Sequence, residues 1–241
     1  MAEMQCAIRC SGITKTFGSV VANDAIDLEV NYGEVLALLG ENGSGKTTLM
    51  NMLSGIYHPD AGQIFVNGQP VSIASPVDAR ALGIGMIHQH FKLVEVFTAM
   101  ENIVLGMPGK MPSRKALRAE VKSLCDAYGL EIDPEKPVWE MSVSEKQTVE
   151  ILKVLYRGAK ILILDEPITG LDPAAAQDLY KTLAYLNKTE GMAIVMVTHD
   201  LKAALRSART VLHIGHRGIF LGSVSEYLAS PQGRRFQEVD R

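Results

Sequence analysis

The chain has 241 residues and a mass of 26.2 kDa, a size that suits one large α/β domain. Hydrophobic residues make up 47% of it, which is enough to bury a full core. The net charge of −3 and the pI near 6.1 give no indication of nucleic-acid binding. No run of 18 or more apolar residues predicts a transmembrane helix, and the first residues lack the basic and apolar regions of a signal peptide. We therefore expect a protein of the cytosol, or of the cytosolic face of a membrane.

Strand patterns fill the N-terminal part of the chain. Residues 6–39 read as strands separated by turns, and residues 25–30 alternate apolar and polar side chains as a half-exposed antiparallel strand does. Residues 62–68 repeat this pattern and end in Asn-Gly, the strongest short signal for a β-hairpin. The sequence thus predicts an antiparallel layer on the N-terminal side of the core.

Residues 40–48, GENGSGKTT, fit the phosphate-binding pattern G-x-x-x-x-G-K-[ST] between a predicted buried strand at 35–39 and a predicted helix at 47–54. Glycines allow backbone N–H groups to surround phosphate oxygens, and the helix N-terminus favours anions. Lys46 is expected to reach the terminal phosphates and the Thr47 hydroxyl to bind Mg²⁺. A chance match has a probability of roughly one per cent in a chain of this length. We interpret the following residues as a nucleotide site: Gly40, Glu41, Asn42, Gly43, Ser44, Gly45, Lys46, Thr47 and Thr48.

A short helix is predicted at 76–82 and a buried strand at 84–87, and the polar residues around Gln89 follow this strand directly. A break of this kind often presents a reactive or sensing side chain. Residues 90–157 then read as a mostly helical insert, in which one helix begins after Ser113 and ends at Gly129.

Residues 142–145 fit the S-x-x-E capping box, and Ser144 with Gln147 offers a second register. The helix that follows is predicted to place its apolar residues, Val149 among them, on one face. Local sequence alone does not distinguish an ordinary capped helix from a functional one, because capping boxes are common.

Two carboxylates, Asp165 and Glu166, stand at the end of the predicted buried strand at 161–164. Ligands bind at this edge of parallel sheets. Asp165 suits Mg²⁺ held through water, and Glu166 can orient and deprotonate an attacking water. The alternative, an acidic helix cap or a solvated turn, fits less well because both acids directly follow a core strand.

The C-terminal third continues the alternation of helix and strand. Asp172 and Pro173 are expected to begin a helix, and the predicted strand at 193–197 ends before His199. A histidine at that edge can sense the γ-phosphate. Residues 211–214 and 218–222 read as short closing strands.

Taken together, these motifs resemble the ATP-binding subunit of ABC transporters over essentially the whole chain. GENGSGKTT matches the Walker A loop and ILILDEP at 161–167 the Walker B strand. Four further positions match in the expected order along the chain: the A-loop aromatic Phe17, the Q-loop glutamine Gln89, the D-loop aspartate Asp172 and the switch histidine His199. MSVSE at 141–145 falls where the family has its LSGGQ signature.

The resemblance implies an α/β fold: a phosphate-loop ATPase core with an antiparallel β subdomain and an inserted α-helical subdomain. One domain is expected over residues 1–241, with 1–89 and 158–241 in the core and 90–157 in the helical subdomain.

The resemblance also implies ATP and Mg²⁺ as ligands. Glu166, His199 and Lys46 are the implied catalytic residues, and Phe17 is implied to stack on adenine. Such domains work as head-to-tail pairs, so the signature and D-loop residues are implied to complete the partner's site. The implied Mg²⁺ ligands are Thr47, Gln89 and Asp165, and the implied partner-site residues are Ser142, Val143, Ser144, Glu145 and Asp172.

Flanking segments such as VANDAIDLEV and VEILKVLYRGAK resemble the corresponding segments in the ATPases of simple-sugar and nucleoside importers. Those ATPases usually fuse two such domains, whereas this chain has one, so a second ATPase subunit, identical or not, is expected. The resemblance implies a peripheral subunit at the cytoplasmic face that powers solute import through a permease, supplied by an extracytoplasmic solute-binding protein. The alternatives are the ATPase subunit of an exporter, or a soluble ABC ATPase without a transport role. No nucleic-acid partner is expected.

The signature departs from the family pattern, because Val143 and Ser144 replace its two glycines and Thr148 stands where an arginine is common. Glycine allows the backbone to approach phosphate closely, and a serine Cβ restricts that approach. We expect this chain's own Walker site to hydrolyse ATP normally and the site completed by its signature to be weakened, as in an asymmetric pair.

Overall fold

The computed structural model describes residues 5–198, 201–215 and 218–234. Within these residues ten strands form two sheets, joined by helices and a short 3-10 turn at Val138–Glu140. The strands are β1 Cys6–Phe17, β2 Val20–Asn31, β3 Val35–Leu39, β4 Ala61–Val66, β5 Gln69–Val71, β6 Ile84–Ile87, β7 Ile161–Asp165, β8 Ala193–Val197, β9 Thr210–Gly215 and β10 Gly218–Ser223. The helices are α1 Lys46–Leu53, α2 Pro76–Ala81, α3 Ala99–Val104, α4 Arg114–Tyr128, α5 Val143–Tyr156, α6 Pro173–Lys188, α7 Leu201–Ser207 and α8 Val224–Ala229.

The first sheet is antiparallel, in the order β2-β1-β4-β5, as the alternating pattern predicts. Its predicted Asn-Gly hairpin is present, with Asn67 (φ 53°) and Gly68 (φ 76°) both left-handed. The strand predicted at 25–30 is longer than expected, because a tight turn after Phe17 lets pairing with β1 begin at Val20.

The second sheet has the order β10-β9-β3-β8-β7-β6, and all its neighbouring strands are parallel except β10. Strands β3, β7 and β8 are buried along their whole length, which explains why their sequences are apolar throughout apart from Asp165 at the end of β7. The carboxyl ends of β3, β6, β7 and β8 meet at one edge of this sheet, so the residues that follow these strands come close together.

Three apolar clusters form the core. One lies between the two sheets and includes α1, and a second packs the other face of the parallel sheet against α5 and α6. The third joins α3, α4 and α5 within the predicted insert. The α/β class with an antiparallel layer and a helical region is confirmed. The boundaries drawn at residues 90 and 157 stay a prediction. None of the helices in the described part of the chain has the length and apolarity to cross a bilayer.

The predicted helix starts at Ser113, Ser142 and Asp172 agree with the structure, because each side chain accepts backbone N–H groups of the next turn. Of the two registers open for α5, the one with Ser142 and Glu145 is present. The signature segment therefore begins a long, well-capped helix.

Candidate functional site

Glycines shape the loop between β3 and α1. Gly40 (φ 144°), Gly43 (φ 80°) and Gly45 (φ 94°) all have backbone angles that favour glycine. A Cβ atom at Gly40 would lie 2.1 Å from the Ile214 carbonyl oxygen, and one at Gly45 would lie 2.1 Å from the Ala22 carbonyl oxygen. The loop is therefore pressed between β2 and β9 at two points where a side chain does not fit.

Helix α1 begins without a side-chain cap. Its N-cap is Gly45, and its first turn contains no acidic residue. Backbone N–H groups at the start of a helix have no partner within the helix and carry a partial positive charge. This helix start is therefore well suited to an anion.

Lys46 is the cation of the loop, and it is buried, with 6% of its surface exposed. Its Nζ donates to the carbonyl oxygens of Gly40 (2.9 Å) and Glu41 (2.7 Å), which uses two of its three N–H donors. Burial lowers the pKa of Lys46, and the nearby carboxylates of Glu166 and Asp165 oppose that shift. The ammonium is thus held at the base of the loop beside both predicted acids.

The loop opens into a polar cavity of about 460 Å³. Gln89, which follows β6, and the two acids at the end of β7 line the same cavity as the loop. The sheet edge thus brings together residues that are more than a hundred positions apart in sequence. The lining residues are Val20, Val21, Ala22, Asn42, Gly43, Ser44, Gly45, Lys46, Thr47, Thr48, Gln89, Asp165, Glu166 and Val197.

The two acids are held differently. Asp165 ends β7 and is 7% exposed, whereas Glu166 follows with a left-handed backbone (φ 49°). Its backbone N–H donates to the Val197 carbonyl oxygen at 3.0 Å, which ties this turn to β8. A non-glycine residue in this conformation costs about 1 kcal/mol or more, and such strain is concentrated at functional sites. The turn redirects the Glu166 side chain away from the path that a continuing strand would impose.

The lining fits a magnesium–phosphate ligand. The Thr47 hydroxyl, the Gln89 amide and the Asp165 carboxylate offer oxygen atoms around one cavity, and Mg²⁺ prefers oxygen ligands and keeps waters and substrate phosphates in its coordination shell. The Ser44 hydroxyl is buried in the loop without a hydrogen-bond partner among the described residues, so a phosphate oxygen would satisfy it. No group of three or more His, Cys, Asp or Glu side chains suited to a metal exists in the part of the chain that the structure describes.

Several predicted residues lie outside the lining. Phe17 is 43% exposed and packs edge-on against Tyr57, with ring centroids 5.3 Å apart. Gly40 and Glu41 belong to the loop but do not line the cavity, and their carbonyl oxygens accept hydrogen bonds from Lys46. His199 falls outside the described residues. The roles predicted for Phe17 and His199 therefore stay predictions.

The predicted partner-site residues lie at the starts of α5 and α6, and none of them lines this cavity. Ser142 Oγ accepts the Glu145 N–H at 3.2 Å, and Glu145 Oε2 accepts the Ser142 N–H at 2.8 Å. Lys136 Nζ lies 2.7 Å from the Glu145 carboxylate, and both Val143 and Ser144 are exposed. Asp172 Oδ1 accepts the first two free N–H groups of α6 at 2.9 and 3.0 Å.

Sequence reasoning missed the residues of β2 that support the loop. Asn23 is 2% exposed, and its Nδ2 donates to the Gly45 carbonyl oxygen at 3.2 Å. Val20 and Val21 line the cavity and are 62% and 57% exposed, which is unusual for two adjacent valines. The only signal in the sequence was the pair of valines itself, which directly follows the turn after Phe17 and lies outside the alternating pattern at 25–30.

Comparison with known proteins gives consistent matches. The profile of the ABC transporter family matches residues 23–169. The chain is 47% identical over 197 residues to the nucleoside import ATP-binding protein NupA of Lactococcus lactis, covering 80% of this chain and 39% of NupA. It is 50% identical over 195 residues to the guanosine import ATP-binding protein NupO of Bacillus subtilis, covering 80% and 38%. The ribose import ATP-binding protein RbsA 1 of Rubrobacter xylanophilus is 41% identical over 217 residues, covering 88% and 43%. The chain spans less than half the length of these relatives.

Solved structures support the same assignment. The structure of cbiO1 from Clostridium perfringens, part of the ABC transporter complex cbiONQ, has a TM-score of 0.81 and 26% identity, covering 98% of this chain and 100% of that one. An ATP-binding cassette of an ABC transporter in its ADP conformation has a TM-score of 0.83 at 23% identity, covering 97% and 98%, and shows the fold alone. The predicted family and fold are confirmed, and the chain belongs to the ABC transporter family.

Proposed function

We propose that this chain is an ATP-binding and ATP-hydrolysing subunit of an ABC importer and powers the uptake of a small solute through a membrane permease. The observation that carries the proposal is the single cavity that joins the phosphate loop to Gln89, Asp165 and Glu166. Relatives with 39% to 50% identity are named as import ATP-binding proteins for nucleoside, guanosine, glucose and ribose, which favours a nucleoside or simple-sugar cargo.

In this proposal the phosphates of ATP enter the loop. The first N–H groups of α1 and the Lys46 ammonium donate to their oxygens, and the Ser44 hydroxyl gains the partner that it lacks. Thr47, Gln89 and Asp165 hold Mg²⁺, which when bound neutralises charge on the terminal phosphates. Catalysis then depends on positioning and on stabilising charge, as in other phosphoryl transfers.

Glu166 is the proposed general base. It lines the cavity next to the loop, and its left-handed backbone orients the side chain from a turn anchored to β8. In that position it orients the attacking water and accepts its proton. His199 is proposed to stabilise the transition state.

The decisive experiment is Glu166→Gln, which keeps the shape of the side chain and removes the base. We expect ATP affinity by calorimetry to stay within about threefold and the rate of phosphate release to fall about 10²- to 10⁴-fold. Glu120→Gln is the matched control, since Glu120 is an exposed carboxylate on α4 that accepts a hydrogen bond from Tyr156. Near-normal turnover in Glu166→Gln would contradict the assignment of Glu166 as the base. A wild-type chain that neither binds nor hydrolyses ATP would contradict the proposed function as a whole.

A groove between α2, β6 and α5 is the proposed docking site for the permease. Its volume is about 230 Å³, and it contains His88, the residue immediately before Gln89. Burial lowers the pKa of His88, and the nearby Lys92 and Lys153 lower it further. The lining is mostly apolar, and its cations outnumber its one acid, Glu150, which pairs with Lys153. An amphipathic segment with an acidic side chain fits this groove and would lie next to the Q-loop. The cationic lining residues are Arg80, Lys92, Lys153 and Arg157.

The assembly is proposed to contain permease subunits and a second ATPase domain at the cytoplasmic face of the membrane. An extracytoplasmic solute-binding protein is the proposed source of the cargo. Native mass spectrometry of the complex, captured from solubilised membranes through a tag on this chain, tests this directly. We expect permease subunits with either two copies of this chain or one copy beside another ATPase chain. Recovery of the chain alone would contradict the proposed partners.

A further inference from the structure

Lys92, three residues after Gln89, has both of its backbone groups hydrogen-bonded to side chains from one turn of α5. The Lys92 N–H donates to Glu150 Oε1 at 2.7 Å, and Lys153 Nζ donates to the Lys92 carbonyl oxygen at 2.8 Å. Glu150 Oε2 and Lys153 Nζ are themselves 3.7 Å apart. Residues 91–94 have no regular secondary structure, so this grip replaces the hydrogen bonds of a helix or sheet.

The side chains of Glu150 and Lys153, which bind the backbone of Lys92, are largely buried. The Glu150 side chain is 3% exposed and that of Lys153 is 13% exposed. Burial lowers the pKa of Lys153, while the Glu150 carboxylate opposes that shift. A buried ion pair adds little stability compared with apolar side chains of similar volume, and removing one partner leaves an uncompensated charge. Fold stability alone therefore does not account for a charged pair at this point of α5.

Two further contacts fix the same segment. Val94 is held at both backbone groups by Asn102 of α3, with its N–H 2.7 Å from Oδ1 and its carbonyl oxygen 3.0 Å from Nδ2. Lys146, near the start of α5, lies 3.1 Å from Glu95. The segment at 92–95 is thus fastened to α3 and α5, and Gln89 precedes it by three residues.

We propose that Glu150 and Lys153 are positioning residues: they fasten Lys92, three residues after Gln89, to α5, so that Gln89 at this chain's ATP site and the signature at the start of α5 move together. The inference rests on the proposed function, since it assigns Gln89 to bound Mg²⁺. Through this grip, occupancy of the chain's own cavity sets the placement of Ser142, Val143 and Ser144.

Trp139 provides the readout. It is the one tryptophan in the sequence, it is 62% exposed, and it lies three residues before the N-cap of α5. Its backbone N–H donates to the Glu95 carbonyl oxygen at 3.1 Å, so it lies at the junction between the fastened segment and the signature. Its fluorescence therefore reports on this junction when Mg²⁺ and ATP bind.

The experiment compares the purified full chain with Glu150→Leu, Glu150→Gln and the control Glu120→Gln. In the wild type we expect Mg²⁺ with ATP to change Trp139 fluorescence. In Glu150→Leu we expect that change to disappear and kcat to fall about tenfold, with KM for ATP within about threefold, because the loop itself is untouched. Glu150→Gln keeps an oxygen for the Lys92 N–H and should restore part of both signals. Glu120→Gln should match the wild type in both.

Two results would overturn the positioning role: a wild-type chain that hydrolyses ATP without a Trp139 response, or a Glu150→Leu chain with a normal response and a normal kcat. If Glu150→Leu fails to fold, Lys153→Met is the deciding variant. It removes both the bond to the Lys92 carbonyl oxygen and the ion pair with Glu150, it keeps the bond from the Lys92 N–H to Glu150, and it should weaken the response in the same way. An unchanged Lys153→Met then overturns the inference. Absence of ATP binding in the wild type is a different outcome, since it removes the proposed function first.

Discussion

The starts of α1 and α5 are built in opposite ways, although the family resemblance implies that both face ATP phosphates. Helix α1 begins at Gly45 with no side-chain cap and no acid in its first turn. Helix α5 begins at Ser142, which forms a reciprocal capping box with Glu145. The loop before α1 excludes Cβ atoms at two glycines, whereas α5 exposes the side chains of Val143 and Ser144.

This difference implies that the two helix starts contribute unequally to phosphate binding. An uncapped start lined by glycine offers its N–H groups and its partial positive charge directly to an anion. At the start of α5 the Glu145 N–H already has a partner, and a carboxylate stands in the first turn beside Lys136. We infer that α1 supplies most of the phosphate binding and that α5 adds less to the partner's site.

Of the two helix starts, α1 is expected to give the larger effect, through its glycine contact. In Gly45→Ala the new Cβ would lie 2.1 Å from the Ala22 carbonyl oxygen, so the loop has to shift away from β2. We expect ATP affinity, measured by calorimetry, to fall at least about tenfold, or ~1.4 kcal/mol.

Gly43→Ala is the matched control, because Gly43 is also left-handed (φ 80°) but faces open space. Within the protein it adds only the backbone penalty of about 1 kcal/mol in the free energy of unfolding, because its Cβ would meet no atom within 4 Å. Gly43 lines the nucleotide cavity, so the quantity compared is the loss of ATP affinity at Gly45 beyond the loss at Gly43. Equal losses of ATP affinity in the two variants would show that backbone strain, and not the contact with Ala22, limits position 45. The close approach of β2 would then have no special role in shaping the loop.

The features that could be predicted from the sequence are local ones. The fit of residues 40–48 to the phosphate-loop pattern depends on nine consecutive residues, and the helix caps at Ser113 and Asp172 depend on their immediate neighbours. Uninterrupted apolar runs such as 193–197 correctly indicated strands buried on both faces.

Contacts between distant segments could not be predicted in this way. Asn23 supports Gly45 only because β2 passes beneath the loop, and Glu150 reaches Lys92 across 58 positions of sequence. Neither contact leaves a periodic or turn signal, since both depend on how finished elements pack. The left-handed turn at Glu166 is likewise set by its bond to Val197, and no glycine marks it in the sequence.

A smaller effect is expected at the start of α5. In Ser144→Gly the Cβ that restricts approach of the backbone to phosphate is removed, so the two helix starts become more alike. We expect the ATPase rate of the purified assembly to rise about two- to tenfold, because the site completed by this signature gains closer N–H donors.

Ser144→Ala separates the two parts of the side chain, since it keeps the Cβ and removes the hydroxyl. If alanine raises the rate as much as glycine does, the hydroxyl and not the Cβ is the obstacle. If glycine leaves the rate unchanged, the weakened-site hypothesis is wrong and the capped start of α5 is sufficient as it stands. A rise confined to assemblies with one copy of this chain beside another ATPase would place the weakness at one of two sites. The contrast between α1 and α5 would then extend to a functional asymmetry of the pair.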